Sequence, residues 1–97
     1  MRYDILIMPE AAEHFRRMQS VERRAIESAI QAHLRFEPKK ESKSRIKRLR
    51  GMEQPQYRLR IGEFRVFYDG VEAEVQVLAA LSKSEAYSWL ERQGRKS

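Results

Sequence analysis

Arg58, Arg60 and Arg65 crowd onto one short stretch, and guanidinium groups in that pattern do one kind of chemistry well: they bind and neutralise an anion. The stretch reads Tyr57-Arg58-Leu59-Arg60-Ile61-Gly62-Glu63-Phe64-Arg65-Val66-Phe67-Tyr68. Side chains alternate between the faces of a strand. Tyr57, Leu59 and Ile61 therefore point one way, and Arg58 and Arg60 the other. A two-residue turn at Gly62-Glu63 pairs Ile61 with Phe64 and Arg60 with Arg65. All three arginines then share one face, with Phe67 beside Arg58. Like charges facing each other destabilise a sheet, so an anion is expected to offset the repulsion. Guanidinium forks onto phosphate oxygens and stays charged at physiological pH. An adjacent aromatic suits a stacked base. The competing reading is a cross-strand ion pair: a second two-residue turn at Asp69-Gly70 would set Arg65 opposite Glu74. That pair would neutralise one arginine of the three.

Side chains able to move protons are sparser. His14 and His33 fall on predicted helices with no second ligand at metal spacing, and His33 lies on an apolar stripe, so neither is assigned a metal. Cysteine is absent, which removes disulfides and thiolate metal sites and fits a cytoplasmic location. Lys83, Glu85 and Tyr87 open the last predicted helix. On pattern alone they read as first-turn surface and helix packing near Trp89 and Leu90.

The elements that must position these groups follow from periodicity. Arg2 to Ile7 predicts a strand. Pro9 opens a helix through about Gln19, with Ala12, Phe15 and Met18 as its apolar stripe. Ser20 is the expected cap of a second helix ending near Phe36, ahead of Pro38. A charged connector, a short strand over Arg45 to Arg50 and a turn region from Gly51 to Pro55 lead into the arginine hairpin. A strand from Glu74 to Leu81 and a helix from Lys83 to Gln93 follow, with 94–97 as a frayed tail. The order β-α-α-β-β-β-β-α predicts an α+β fold. Two N-terminal helices would cover one face of a small, mostly antiparallel sheet, burying Leu59, Ile61, Phe64, Val66, Tyr68, Val75 and Val77.

Ninety-seven residues with 41% apolar and 35% charged content suit one domain, residues 1–97, with one modest core. The N-terminal apolar run is too short for a signal peptide or membrane span. The formal net charge is +6. Between Lys39 and Arg65 ten basic residues stand against three acidic ones, so the whole excess lies in the middle third. Such a block is the footprint of a polyanion binder.

At Leu49-Arg50-Gly51, Tyr57-Arg58-Leu59-Arg60, Phe64-Arg65-Val66-Phe67-Tyr68 and Ser84-Glu85-Ala86-Tyr87 the chain resembles the RelE/ParE toxin superfamily, and looks closer to its RelE branch. The resemblance implies a RelE-like mRNA interferase toxin of a type II toxin–antitoxin system. Such a toxin is a ribosome-dependent endoribonuclease that cleaves mRNA in the A site by 2′-hydroxyl attack. It implies three partners: a cognate antitoxin, the ribosome with its RNA, and mRNA. It implies no cofactor, no metal and no membrane. By position, Arg65 matches the arginine that stabilises the scissile phosphate. Arg58 and Arg60 match basic positions on the preceding strand, Tyr87 the tyrosine near the reacting nucleotide, and Lys83 a basic position four residues before it. The stretch comprising Lys39, Lys40, Lys43, Arg45, Lys47, Arg48 and Arg50 is expected to hold ribosomal RNA phosphates, and Phe67 to lie beside the RNA. Ala79-Ala80-Leu81-Ser82-Lys83 departs from the family's basic element before the final helix. Because arginine barely deprotonates, the general base stays open among Tyr87, Lys83 and Glu85. The alternatives are a ParE-like gyrase inhibitor and a non-catalytic RNA- or ribosome-binding module.

Overall fold

The arginine hairpin forms the middle of a five-stranded sheet. In the computed structural model, which describes residues 1–97, the chain runs β1 (Asp4–Ile7), α1 (Pro9–Arg16), α2 (Ser20–Leu34), β2 (Ile46–Arg48), β3 (Met52–Gln54), β4 (Tyr57–Ile61), β5 (Phe64–Val71), β6 (Glu74–Ser82), α3 (Lys83–Gln93) and β7 (Arg95–Lys96). The sheet order is β1-β6-β5-β4-β2, with β1 parallel to β6 and the other pairs antiparallel. No helix is long and apolar enough to cross a membrane.

The core splits across both sheet faces. On one, Ala11 and Phe15 of α1 and Ile26, Ile30 and Leu34 of α2 pack against Leu59, Val66, Tyr68, Val75 and Val77. The expected core residues Ile61 and Phe64 are only partly buried at its margin. On the other face, Ala86 and Trp89 of α3 pack on Phe67 and Ala79. A bulge at Leu78 makes both possible. Phe67 pairs with Ala79 but Tyr68 with Val77, so one extra residue switches the alternation of β6. Val77 then meets the N-terminal helices while Ala79 meets α3.

Local chemistry sets the ends of the elements. Pro9 occupies the first turn of α1, where its missing N–H is harmless. The N-cap of α2 is Gln19 rather than Ser20, and the Gln19 amide donates to Glu22 Oε1 at 3.3 Å. Gly62 adopts φ +54 at the first central position of the β4–β5 turn, a conformation glycine adopts at least cost.

Three expectations fail on tertiary grounds. The turn at Asp69-Gly70 does not form; β5 runs on to Val71 and pairs it with Glu74. Asp69 is instead buried, accepting from Gln54 Nε2 at 2.7 Å and from the Gln56 amide at 2.8 Å. Gly70 lies under the Lys39 side chain, which a Cβ there would meet at 2.7 Å. Residues 94–97 are not a frayed tail, since Arg95–Lys96 pairs antiparallel with Met52–Gln54. The region between Gly51 and Pro55 is accordingly a strand as well as a turn.

Candidate functional site

The register of the sheet assembles a cationic face from three strands. Ile61 pairs with Phe64 and Arg60 with Arg65. Arg58 pairs with Phe67 on one side and with Lys47 on the other. Lys47, Arg58, Arg60 and Arg65 therefore project from the same face. Arg65 faces Leu81 across β6, not Glu74, so the cross-strand ion pair does not exist. None of the four cations has a carboxylate within 4.0 Å; the molecule's ion pairs join other residues.

Burial sharpens this electrostatic imbalance. Arg65 is 8% exposed. Its Nη1 donates to the carbonyls of Gly62 and Phe64, both at 2.9 Å, which curls the guanidinium over the hairpin tip. Arg58 is half-buried, and its Nε is buried without a hydrogen-bond partner. Burial, then the charges of Arg65 and Arg60, pull the Arg58 pKa below the ordinary arginine value. Partly desolvated cations without counter-ions are costly, and a phosphate would relieve that cost through charge-assisted hydrogen bonds.

Helix α3 frames the face from one side. The Lys83 amide donates to the Glu63 carbonyl at 2.7 Å, tying the start of the helix to the hairpin tip. Ala86 and Trp89 point inward. At 100° per residue, Lys83 and Tyr87 then lie on one flank and Glu85, Ser88 and Arg92 on the other. The second flank lines a groove of about 670 Å³ with Glu10, His14 and Arg17. That leaves Lys83 and Tyr87 on the flank of α3 facing away from the α1 groove. Tyr87 is 72% exposed, so it does not serve as packing beside Trp89. Glu85 accepts from Ser82 Oγ at 2.8 Å and belongs to the α1 groove. His14 lines that groove too, its Nδ1 accepting the Ala80 amide at 3.2 Å, and burial holds its pKa below the usual histidine value.

Phe67 requires a correction. It is 1% exposed and stacks on Trp89 with ring centroids 5.3 Å apart, so it cannot offer a face to a base. An aromatic beside an arginine reads as a stacking platform only until the helix that covers it is placed. The basic stretch also divides among surfaces. Lys39 lies across Gly70 on the side of the N-terminal helices. Arg48 donates to the Gln56 carbonyl at 2.6 Å and covers the Tyr57 ring at 5.3 Å. Lys40, Lys43, Arg45 and Arg50 are exposed. Lys47, paired with Arg58, joins the arginine face. The signal for it is Ile46, whose apolar side chain fixes the parity of β2.

The architecture is that of a small α+β domain presenting an unpaired cationic face on a five-stranded sheet. No protein-family model and no curated protein sequence matches the chain. Two solved structures share its architecture. The RelB–RelE antitoxin–toxin complex from Methanococcus jannaschii superposes with a TM-score of 0.67 at 17% identity, covering 87% of this chain and 96% of that one. A mutant of the E. coli toxin RelE in the free state gives 0.69 at 23% identity, covering 96% and 99%. The chain has a RelE-like fold.

Proposed function

We propose that this chain is the toxin of a type II toxin–antitoxin pair, acting as a ribosome-dependent endoribonuclease on mRNA. The observation that carries the reading is the unpaired cluster of Arg58, Arg60, Arg65 and Lys47 within a RelE-like fold. In the proposed reaction the 2′-oxygen of one nucleotide attacks the adjacent phosphorus. The bond from phosphorus to the 5′-oxygen breaks, giving a 2′,3′-cyclic phosphate and a 5′-hydroxyl end. One proton leaves the attacking hydroxyl and one reaches the departing oxygen. Arg65, pre-oriented by the hairpin carbonyls, suits the charge that builds on the phosphoryl oxygens. Arg58 and Arg60 hold the same phosphate in line. Tyr87 and Lys83 approach from α3 as the proton-handling groups. Lys47, which the sequence assigns to ribosomal RNA, adds a second amine beside Arg58. Glu85, turned toward α1, is the weakest candidate for the base.

The antitoxin follows from charge. A chain of net +6 with this exposed face suits an acidic, partly disordered segment that covers it. RelE of M. jannaschii is held by RelB in the matched complex, and a comparable partner is proposed here.

A defined message translated in a cell-free system tests the proposal, with 5′ ends mapped by primer extension. Codon-phased cuts that need ribosomes are the expected result. Inhibited translation of an intact message would favour a simple ribosome binder. Arrested supercoiling by DNA gyrase with an intact message would favour the gyrase reading.

A further inference from the structure

A second surface, between the end of α2 and the start of β2, carries its own recognition chemistry. Where α2 ends, Phe36 stands 62% exposed at the rim of a notch of about 360 Å³. His33 and Ile46 line its interior, and Lys40 and Arg45 its outer wall. Exposed phenylalanine is ordinarily a solvation cost, and the backbone on either side of this one is anchored. Just before it, the Arg35 carbonyl accepts the Tyr3 amide at 2.7 Å, and Arg35 Nε donates to Gln31 at 2.9 Å. Just after it, Pro38 is fully buried and its carbonyl accepts the Tyr68 hydroxyl at 2.7 Å.

The opposite wall is equally fixed. Ser42 Oγ accepts the amides of Arg45 and Ile46, both at 3.1 Å. The Arg45 carbonyl accepts the Arg60 amide at 2.8 Å. The two acids at the rim are already engaged. Glu37 sits 3.8 Å from Lys40, and Glu41 accepts the Arg48 amide at 3.0 Å. Arg45 has no carboxylate partner within 4.0 Å. Burial, and less strongly the charge of Arg45, keep the His33 pKa below the ordinary value, so at neutral pH the imidazole offers both a donor and an acceptor. The notch thus combines an exposed aromatic face, a neutral hydrogen-bonding group and an unpaired guanidinium. Between Lys39 and Arg50, seven basic residues stand against one acidic residue, Glu41, so the surroundings favour a polyanion.

We infer that this notch binds a single unpaired RNA nucleotide, its base stacked on Phe36 and hydrogen-bonded to His33, its phosphate held by Arg45. The structure thereby supplies the stacking platform that Phe67, buried under α3, cannot be. The inference rests on the reading of the chain as a ribosome-directed toxin for the choice of RNA over protein, and it makes the notch a docking point for an unpaired ribosomal RNA base.

The test uses the full chain with two probes: a short fluorescein-labelled single-stranded RNA of mixed sequence, and purified small ribosomal subunits. Phe36→Ala should weaken binding to both by about tenfold, the scale of one stacked base. Phe36→Trp should bind within about twofold of the parent. Arg45→Ala should lower the salt slope of RNA binding by about 0.7. Thermal melting should be unchanged for Phe36→Ala, because the ring is exposed. Unchanged affinity of Phe36→Ala for both probes overturns the inference, as does a parent chain that binds neither. Loss of antitoxin binding with ribosome binding intact also overturns it, in favour of a protein docking site. Weakened subunit binding in a chain that never cuts mRNA would leave the notch standing and remove the nuclease reading.

Discussion

Arg65 holds two positions at once, one structural and one chemical. Its guanidinium bonds the hairpin carbonyls of Gly62 and Phe64 while its remaining N–H groups stay available on the cationic face. Sequence periodicity places it on a non-core face, which predicts that Arg65→Ala leaves the fold untouched. Its burial alters that expectation. Arg65→Ala should reduce codon-phased cutting by at least about a hundredfold, the scale of losing a preorganised donor to transition-state charge. It should also lower stability by about 1 kcal/mol, which a urea titration of the variant measures. Tyr87 separates the two effects. It is exposed, so Tyr87→Phe should melt with the parent. Its cutting rate should fall about tenfold or more if the hydroxyl moves a proton. Cutting at the parent rate would reduce Tyr87 to stacking.

The elements explain where local signals were overruled. The Asp69-Gly70 dipeptide is a strong hairpin signal, yet burial of Asp69 beneath Gln54 and Gln56 draws it into the strand. The turn falls instead on Glu72-Ala73, and Glu72 takes φ +55. That conformation is unfavourable for residues with a Cβ. Glu72→Gly should therefore stabilise the domain by up to about 1 kcal/mol, raising Tm by a few degrees in a thermal melt; a lower Tm would contradict the assignment. Helix α1 carries a pH-dependent link. His14 binds the Ala80 amide through Nδ1 and faces Glu10, Glu13, Arg17 and Glu85, with burial outweighing the acids to depress its pKa. The unfolded chain then binds a proton more readily than the folded one. Stability is full above about pH 6.5 and is lost as pH falls below it. Tm should drop between about pH 7 and pH 5.5, and His14→Gln should flatten part of that slope, His33 contributing in the same direction.

Over the whole molecule, charge governs association more than folding. The basic residues of the middle third divide into an arginine face, a connector that flanks the Phe36 notch and side chains consumed by packing, such as Arg48. The arginine face and, in the connector, Lys43 and Arg45 have no carboxylate within 4.0 Å. Ribosome affinity should therefore fall steeply with salt. Replacing Lys40 and Lys43 by alanine should flatten the slope of log affinity against log salt by about one for each phosphate that a lysine neutralises. Fluorescence titrations across a salt series measure it. An unchanged slope would place those lysines outside the interface.

Local pattern settled whatever depends on nearest neighbours along the chain. Alternation fixed Arg58, Arg60 and Arg65 on one face, Gly62-Glu63 set their register, and the apolar stripes of α1 and α2 located the core side of the sheet. Those signals act over a few residues, and here no tertiary contact opposes them. The remaining features depend on residues far apart in the chain and were set by packing. Placing α3 across β5 buried Phe67. Pairing β2 with β4 brought Lys47 to Arg58, and pairing β7 with β3 ordered the tail. Gln54 and Gln56 captured Asp69 and moved the second turn. The arginine face itself was legible because a sheet's side-chain period is local. Its missing counter-charge was not, because an ion pair depends on which strand arrives opposite, and β6 arrives with Leu81.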